Sequence, residues 1–431
     1  MVRRSPKTNS RDSVRRSRLA RRGATSFQIL VLLVPVLFGM MGFAVDLGRL
    51  YMVRGELKAA AQSAALAAAM QLQGTDTSSD IASVSARYAL ENSGGFANRY
   101  DYGGRTIGDT EGDFSSTIED PQFYETAAAA TASEGGSAAG STAKHVRVTL
   151  AAEAPTVFWR MLAVGQAGRV NVRVSAVAGL SAPLCTACGI EALVVAALNT
   201  DDDVDWGFEN GTRYTFGYVC SGGGQPGPLA GTTQRIPYLL INRLDADSEL
   251  EEQTQSYRIG AGGLPGSTVE TKACGSINAV EAIWDSAAAL TCGQNRVPAP
   301  IQSLLCGMAN RFEAGVYAGC ETITDIDTYS NGYVPDTDIT ETDDYVSTYT
   351  GNGRRVITVA IADSLADTTA MTILGFRQFL VNPVTNTTNI NPFDTNGRIT
   401  GTYIGSPKPL RQGRFSGCSI STGPSKVVLH Q

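Results

Sequence analysis

Residues 24–45 read ATSFQILVLLVPVLFGMMGFAV, an uncharged run that holds twelve Leu, Ile, Val or Phe side chains. As a helix rising 1.5 Å per residue it reaches roughly 33 Å, enough to cross a hydrocarbon core about 30 Å thick. On its amino side, residues 1–22 carry nine basic side chains (Arg3, Arg4, Lys7, Arg11, Arg15, Arg16, Arg18, Arg21 and Arg22) against one acidic residue, Asp12. The rest of the chain has 26 basic and 40 acidic side chains. Lysine and arginine beside a span stay on the cytoplasmic side. The pattern predicts a basic cytoplasmic tail over residues 1–23, a transmembrane helix over 24–45, and an acidic bulk outside the cytoplasm.

Other readings of this start fit less well. A cleaved secretory signal has a shorter apolar region, about 7–15 residues, and a small-residue cleavage site. Here Asp46-Leu47-Gly48-Arg49 follows instead. A twin-arginine signal at Arg15-Arg16 lacks its apolar follow-on, because Ser17-Arg18 comes next. Nucleic-acid binding by the tail has no aromatic or folded module beside it.

Beyond the apolar run, residues 46–73 (DLGRLYMVRGELKAAAQSAALAAAMQLQ) contain no proline and are dominated by alanine, the best helix former. Leu50, Leu57 and Ala64 recur every seven residues, with Val53, Ala60 and Ala67 between them. That is one helical stripe of mostly small side chains. Gly74 supplies the stop. The expectation is an alanine-rich helical extension over residues 46–74, continuous with the span as a rod of about 50 residues, bent at Pro35.

All eight cysteines (Cys185, Cys188, Cys220, Cys274, Cys292, Cys306, Cys320 and Cys418) fall in the part assigned outside. An even count in an oxidising compartment reads as a disulfide framework whose pairing the spacing leaves open. Cys185-x-x-Cys188 also has the form of a redox or half-zinc motif, but there is no second C-x-x-C and the chain has two histidines, His145 and His430.

The string Arg21-Arg22-Gly23, the apolar run with Pro35, then Ala44-Val45-Asp46-Leu47-Gly48-Arg49-Leu50-Tyr51 and the alanine-rich continuation from Leu57 to Ala67 resemble the start of TadG-like proteins. These are envelope proteins linked to assembly of the tight-adherence (Flp) pilus. The resemblance covers roughly residues 20–70, with a weaker likeness over residues 144–180, where such proteins show two strands flanking a short helix. It implies placement and partners, and no chemistry. Related pilin-like proteins are trimmed after a glycine that has glutamate five residues on. Gly23 is present, but Gln28 stands at the glutamate position. The departure implies that the basic tail is kept and that the protein stays in the inner membrane. Some TadG-like proteins carry a von Willebrand A domain with a D-x-S-x-S metal motif. Neither Asp113-Phe114-Ser115-Ser116-Thr117 nor Asp363-Ser364-Leu365-Ala366-Asp367 fits it.

Residues 79–92 predict a short helix, and residues 93–143, rich in Gly, Ala, Ser and Thr, read as a solvated loop or insertion. Alternation over residues 145–150 predicts a strand, residues 158–164 a short helix and residues 169–180 a second strand. These make an α+β lobe over 75–180. Residues 181–431 read as a mainly β, cysteine-containing domain. Its strands are expected at residues 192–198, 214–220, 237–241, 356–361, 374–381 and 397–404, and its helices at 279–288 and 302–311. The fold class is α+β: a transmembrane helix extended into an alanine-rich rod, a small α+β lobe, and a mainly β, disulfide-containing extracytoplasmic domain.

Catalytic motifs are absent from the sequence. There is no G-x-S-x-G, no Walker loop and no Rossmann fingerprint. His145 sits in an alternating strand and His430 is next to last, poor places for a general base. Residues 201–205 (DDDVD) and 325–344 are acidic enough to offer oxygen ligands to Ca²⁺, but neither has EF-hand spacing. Solvated acidic loops are the simpler reading, so no catalytic, cofactor or metal residue is expected, with Ca²⁺ the one candidate ion. The expected function is a non-enzymatic, single-pass inner-membrane protein with a structural or assembly role in a Flp-type pilus system. Its expected partners are the inner membrane and other pilus-assembly or pilin-like proteins, without nucleic acid. The alternative is a membrane-anchored, adhesin-like binding module, with calcium as its candidate ion.

Overall fold

The computed structural model describes residues 11–91, 116–136, 138–156, 158–159, 169–188, 190–191, 193–219, 227–229, 231–232, 234–240, 274–276, 299–312, 336, 344–366, 372–382, 397–411, 413–414 and 420–430. In chain order the elements begin with α1 (Arg11–Ala69), α2 (Ser78–Glu91), β1 (Ser116–Ile118), β2 (Gln122–Tyr124) and α3 (Ala127–Ala132). Strands β3 (His145–Pro155), β4 (Arg169–Leu180), β5 (Thr186–Cys188), β6 (Leu193–Ala196), β7 (Arg213–Tyr218), β8 (Gln234–Leu240) and β9 (Cys274–Ser276) follow. Then come α4 (Ala299–Asn310), α5 (Tyr345–Thr348), β10 (Val356–Ala362), β11 (Ile373–Asn382), β12 (Ile399–Gly405), β13 (Gly413–Arg414) and β14 (Val427–His430). The chain forms two compact units. The first takes residues 1–61, 90–119 and 149–175, and the second residues 62–89, 120–148 and 176–431.

Span and extension form one helix, as the absence of helix breakers after Pro35 requires. Helix α1 runs unbroken for 59 residues and passes through Pro35, although proline removes one backbone bond there. From Val53 onward its buried positions are Val53, Leu57, Ala60, Ala61, Ala64, Ala65, Ala68 and Ala69. They recur, singly or as adjacent pairs, about every four residues, the stripe of a straight helix. The strict heptad read from Leu50, Leu57 and Ala64 is therefore corrected at Leu50 and Ala67, which are only half-buried.

In the first unit, β1 pairs antiparallel with the second half of β3, Ser116 opposite Ala152 and Ile118 opposite Leu150. The Glu119 amide donates to the Thr149 carbonyl at 3.1 Å. Arg173 and Glu119 form an exposed ion pair at 2.5 Å, an arrangement worth little in water.

The second unit centres on a closed barrel with the order β10-β11-β12-β7-β8-β6. Its pairs are antiparallel except β10 with β6 and β7 with β8. Closure removes every edge that could pair with another chain. Alternation sets the interior: Tyr214, Phe216 and Tyr218, Ile236, Tyr238 and Leu240, and Ile357, Val359 and Ile361 share one cluster. The intervening Ala360 and Ala362 pack outside with Val194, Ile373 and Phe376. With both faces covered, β10 is apolar almost throughout, VITVAIA. Helix α4 sends Ile301, Leu304, Leu305 and Met308 into the barrel cluster, the i, i+3, i+4, i+7 stripe of an amphipathic helix.

The six strands expected in residues 181–431 all form, with ends moved by up to three residues, and α4 replaces the helix expected at 302–311. The helix expected at 279–288 lies outside the described residues. The loop reading of 93–143 is corrected: β1, β2 and α3 occupy part of it. Strand β2 pairs with the first half of β3, Phe123 opposite Val146, so its conformation comes from a partner rather than from its own three residues. Of the helix expected at 158–164, Phe158 and Trp159 are helical and the remainder lies outside the described residues. At the carboxy end, β14 pairs with residues 177–180 of β4. Residues 427–430 thus join β4 and not the barrel.

The turn between α1 and α2 is closed by Ser78, whose hydroxyl accepts from the amides of Gln73 at 3.2 Å and Thr75 at 3.0 Å. The hydroxyl thus satisfies two turn amides that lie ahead of α2. The Tyr345 hydroxyl donates to the Gln73 carbonyl at 3.0 Å, and the Asp76 amide donates to the Val346 carbonyl at 2.9 Å. Gly74 has φ +73°, and a Cβ there would stand 2.8 Å from that of Pro407. Gly74→Ala is expected to cost about 1–2 kcal/mol for the left-handed backbone alone, read as a lowered unfolding midpoint of the full chain in detergent.

His145 in β3 meets His430 in β14 edge to face, ring centroids 4.9 Å apart. Burial first, and the neighbouring His430 second, hold the His145 imidazole down at about 4 from its ordinary 6.5. The unfolded chain therefore binds this proton at higher pH than the folded chain. His145 contributes stability above pH 6.5 that is lost as pH falls toward 4. Thermal midpoints measured across that window should decline, and His145→Phe should make the decline shallower.

Candidate functional site

Side chains from Phe27 to Val45 stand almost entirely exposed on α1: Ile29, Leu32, Leu33, Val36, Leu37, Phe38, Met40, Met41 and Phe43 among them. The segment is long and apolar enough to cross a membrane. A continuous apolar surface of this extent marks contact with lipid or with another protein.

Gly42 within this stretch is buried, and so is Asp46, directly after it. The Asp46 carboxylate, 4% exposed, accepts through Oδ2 from the amides of Phe158 at 3.0 Å and Trp159 at 2.8 Å. Gly42 lets the Phe158 ring lie against the helix backbone, since a Cβ at Gly42 would come within 2.7 Å of that side chain. The Trp159 ring lines a groove with Val36, Gly39, Met40 and Phe43. One turn further on, Leu47, Leu50, Tyr51 and Arg54 line a second groove with residues 170–173 of β4. Gly39, Gly42 and Asp46 sit at i, i+3 and i+7, one face of the helix. That spacing was readable in the sequence; its partner, more than a hundred residues away, was not.

In the second unit, buried charges cluster at the barrel. Arg311 donates to Glu191 at 2.7 Å and to the Arg354 carbonyl at 2.5 Å. Asp336 accepts from the Tyr349 hydroxyl at 2.5 Å and from the Arg355 amide at 3.2 Å. The Arg355 guanidinium donates to the Val381 carbonyl at 2.9 Å and lies 5.1 Å from the Phe312 ring centroid. Lys408 donates to the Gly353 carbonyl. Burial, reinforced by Arg311, pushes its ammonium down to about 7. Burial raises Tyr345 and Tyr349, and Asp336 adds to both shifts. These tyrosines act as neutral donors that tie loops to the barrel.

The acidic loop at 201–205 is turned inward on itself. Asp202 accepts from the amides of Val204, Asp205 and Gly207 at 3.0, 3.2 and 2.9 Å, and these bonds, that from Gly207 first, hold its carboxyl below the usual carboxylate range. Asp205 accepts from the Tyr403 hydroxyl and stands 3.4 Å from Arg377, whose guanidinium covers the Trp206 ring at 4.0 Å. Of the residues in 325–344, Asp336 and Asp344 are described; Asp344 caps α5 through the amides of Val346 and Ser347. Among the described residues no three His, Cys, Asp or Glu side chains are grouped as metal ligands.

Of the cysteines, Cys185 and Cys306 are buried, 4% and 0% exposed. The backbones of Cys188 and Cys274 are partners across β5 and β9. Cys220, Cys292, Cys320 and Cys418 lie outside the described residues. Gly23, Gln28, Pro35, Asp46, Gly48 and Arg49 all lie on α1. Gln28 and Gly48 are exposed and Arg49 half-buried, and Asp46 reaches a segment more than a hundred residues away.

Asp46→Ala leaves two amides without their carboxylate acceptor. Bonds to a charged group contribute about 1.5–3 kcal/mol, so the unfolding midpoint in detergent should fall, with Asp46→Asn in between.

Residues 23–71 match the family model Tad, described as putative Flp pilus-assembly TadE/G-like. No curated protein and no solved structure matches the chain. The match covers the apolar run, the Asp46 turn and most of the alanine-rich extension, the same stretch whose residues resemble TadG-like proteins. The likeness to TadE/G-like Flp pilus-assembly proteins is carried by residues 23–71.

Proposed function

We infer that the chain is a non-enzymatic, membrane-anchored envelope protein with a structural role in assembling a Flp-type pilus. The observation that carries this reading is the exposed apolar length of α1, which lies within the TadE/G-like match. Nine basic side chains before the span favour an amino terminus in the cytoplasm, so the body lies outside, on the inner membrane. Gln28 at the glutamate position favours a retained tail and residence in the membrane rather than in a filament.

The cysteines support an oxidising location. Neither Cys185 nor Cys306 is a free thiol, and disulfides persist outside the cytoplasm. The partners are the inner membrane and pilin-like or assembly proteins, with no nucleic acid and no cofactor. His145, held neutral against His430, supports a structural use of the histidines.

Protease added to sealed spheroplasts is expected to remove the body and leave a protected amino-terminal fragment. A fully protected chain would refute the orientation. Deletion of the coding sequence should abolish surface filaments; wild-type filament number in the deletion strain would refute the assembly role.

A further inference from the structure

We propose that Phe158 and Trp159 form a second membrane contact, an aromatic anchor that lies in the lipid beside α1. The inference rests on the membrane-anchored reading above. Trp159 shares its groove with Val36, Gly39, Met40 and Phe43. These positions precede Asp46 by three to ten residues, or about 5–15 Å along the helix axis. The uncharged run ends at Asp46. If that run fills a hydrocarbon core about 30 Å thick, the indole sits within one leaflet, on the side where the chain leaves the membrane.

Two observations agree on lipid as the occupant. Phe158 and Trp159 remain 40% and 51% exposed although they pack on the span, and their open faces continue the exposed apolar surface of α1. Aromatic side chains, tryptophan above all, concentrate where a span meets the headgroups. Backbone amides at such a depth must be satisfied within the protein, because lipid offers no acceptor. Asp46 satisfies these two, and it is buried in doing so. A buried carboxylate aimed at the amides of two lipid-level aromatics is what a segment entering the bilayer from one side requires.

The test uses the full chain reconstituted in phosphatidylcholine vesicles, with acyl chains either plain or brominated near the headgroup. Bromine quenches tryptophan emission on contact. The chain has three tryptophans, so the readout is the difference between wild type and Trp159→Phe, with Trp159→Tyr as a second non-tryptophan variant. The expected result is a bromolipid-quenched component in the wild type that is lost in both variants. Equal fractional quenching of all three proteins would overturn the proposal, and so would burial of Trp159 by another protein helix, which gives the same outcome. Alkaline carbonate extraction of the same vesicles separates the two readings. Retention with equal quenching defeats the aromatic anchor alone, whereas release of the protein defeats membrane anchoring as well.

Discussion

A carboxylate at the end of an apolar helix must find donors, and the first unit is organised by how Asp46 finds them. Burial without partners would cost the ion several kcal/mol. The amides of Phe158 and Trp159 meet one of its oxygens, and this single acceptor fixes where the segment after β3 touches α1. Gly42 keeps the helix surface low enough for the Phe158 ring to reach it, and Trp159 lies beside it in the groove with Gly39. The stretch that matches the TadE/G-like family model thus holds both a helix long and apolar enough to cross a membrane and the carboxylate that latches a distant segment.

The second unit solves a different problem. Its barrel satisfies strand hydrogen bonds by closure, and α4 adds an apolar stripe to the core. Charge is buried here too: Arg311 pairs with Glu191, and the buried Arg377 meets the half-exposed Asp205 and the face of Trp206. Burying a charge is tolerable only when it is paired and hydrogen-bonded. These contacts hold loops whose sequences are too rich in Gly, Asp and Thr to hold themselves. They also account for the acidic loop at 201–205. Within it Asp202 accepts from loop amides and Asp205 from the Tyr403 hydroxyl, while Asp201 and Asp203 face solvent.

Much of the secondary structure was legible because its causes are local. Strands such as residues 356–362 and 373–382 are β-branched or aromatic and bounded by Gly, Asp or Asn, and they form where that pattern stands. Strand β4 forms over residues 169–180 as read. Strands β1 and β2 were missed because three residues in a stretch of small side chains carry no periodicity; β3 imposes their conformation. Likewise β14 is too short to announce a partner, and only its pairing with β4 returns the chain's end to the lobe. At the candidate site, the helix-face spacing of Gly39, Gly42 and Asp46 was visible without its meaning. A glycine gap and a carboxylate acquire a role only when something fills the gap and donates.

Composition and period alone determined the long apolar helix, its basic flank, the alanine-rich continuation and the alternating strands, because hydrophobic patterning and helix propensity act between neighbours in sequence. Tertiary structure decided the rest. It joined six strands into a barrel, took the final strand away from it, placed α4 against its core and set Phe158 and Trp159 on Asp46. These are choices among partners far apart in the chain. The physical reason is that a buried donor, acceptor or ring face needs a complement, and only the folded chain determines which one it receives.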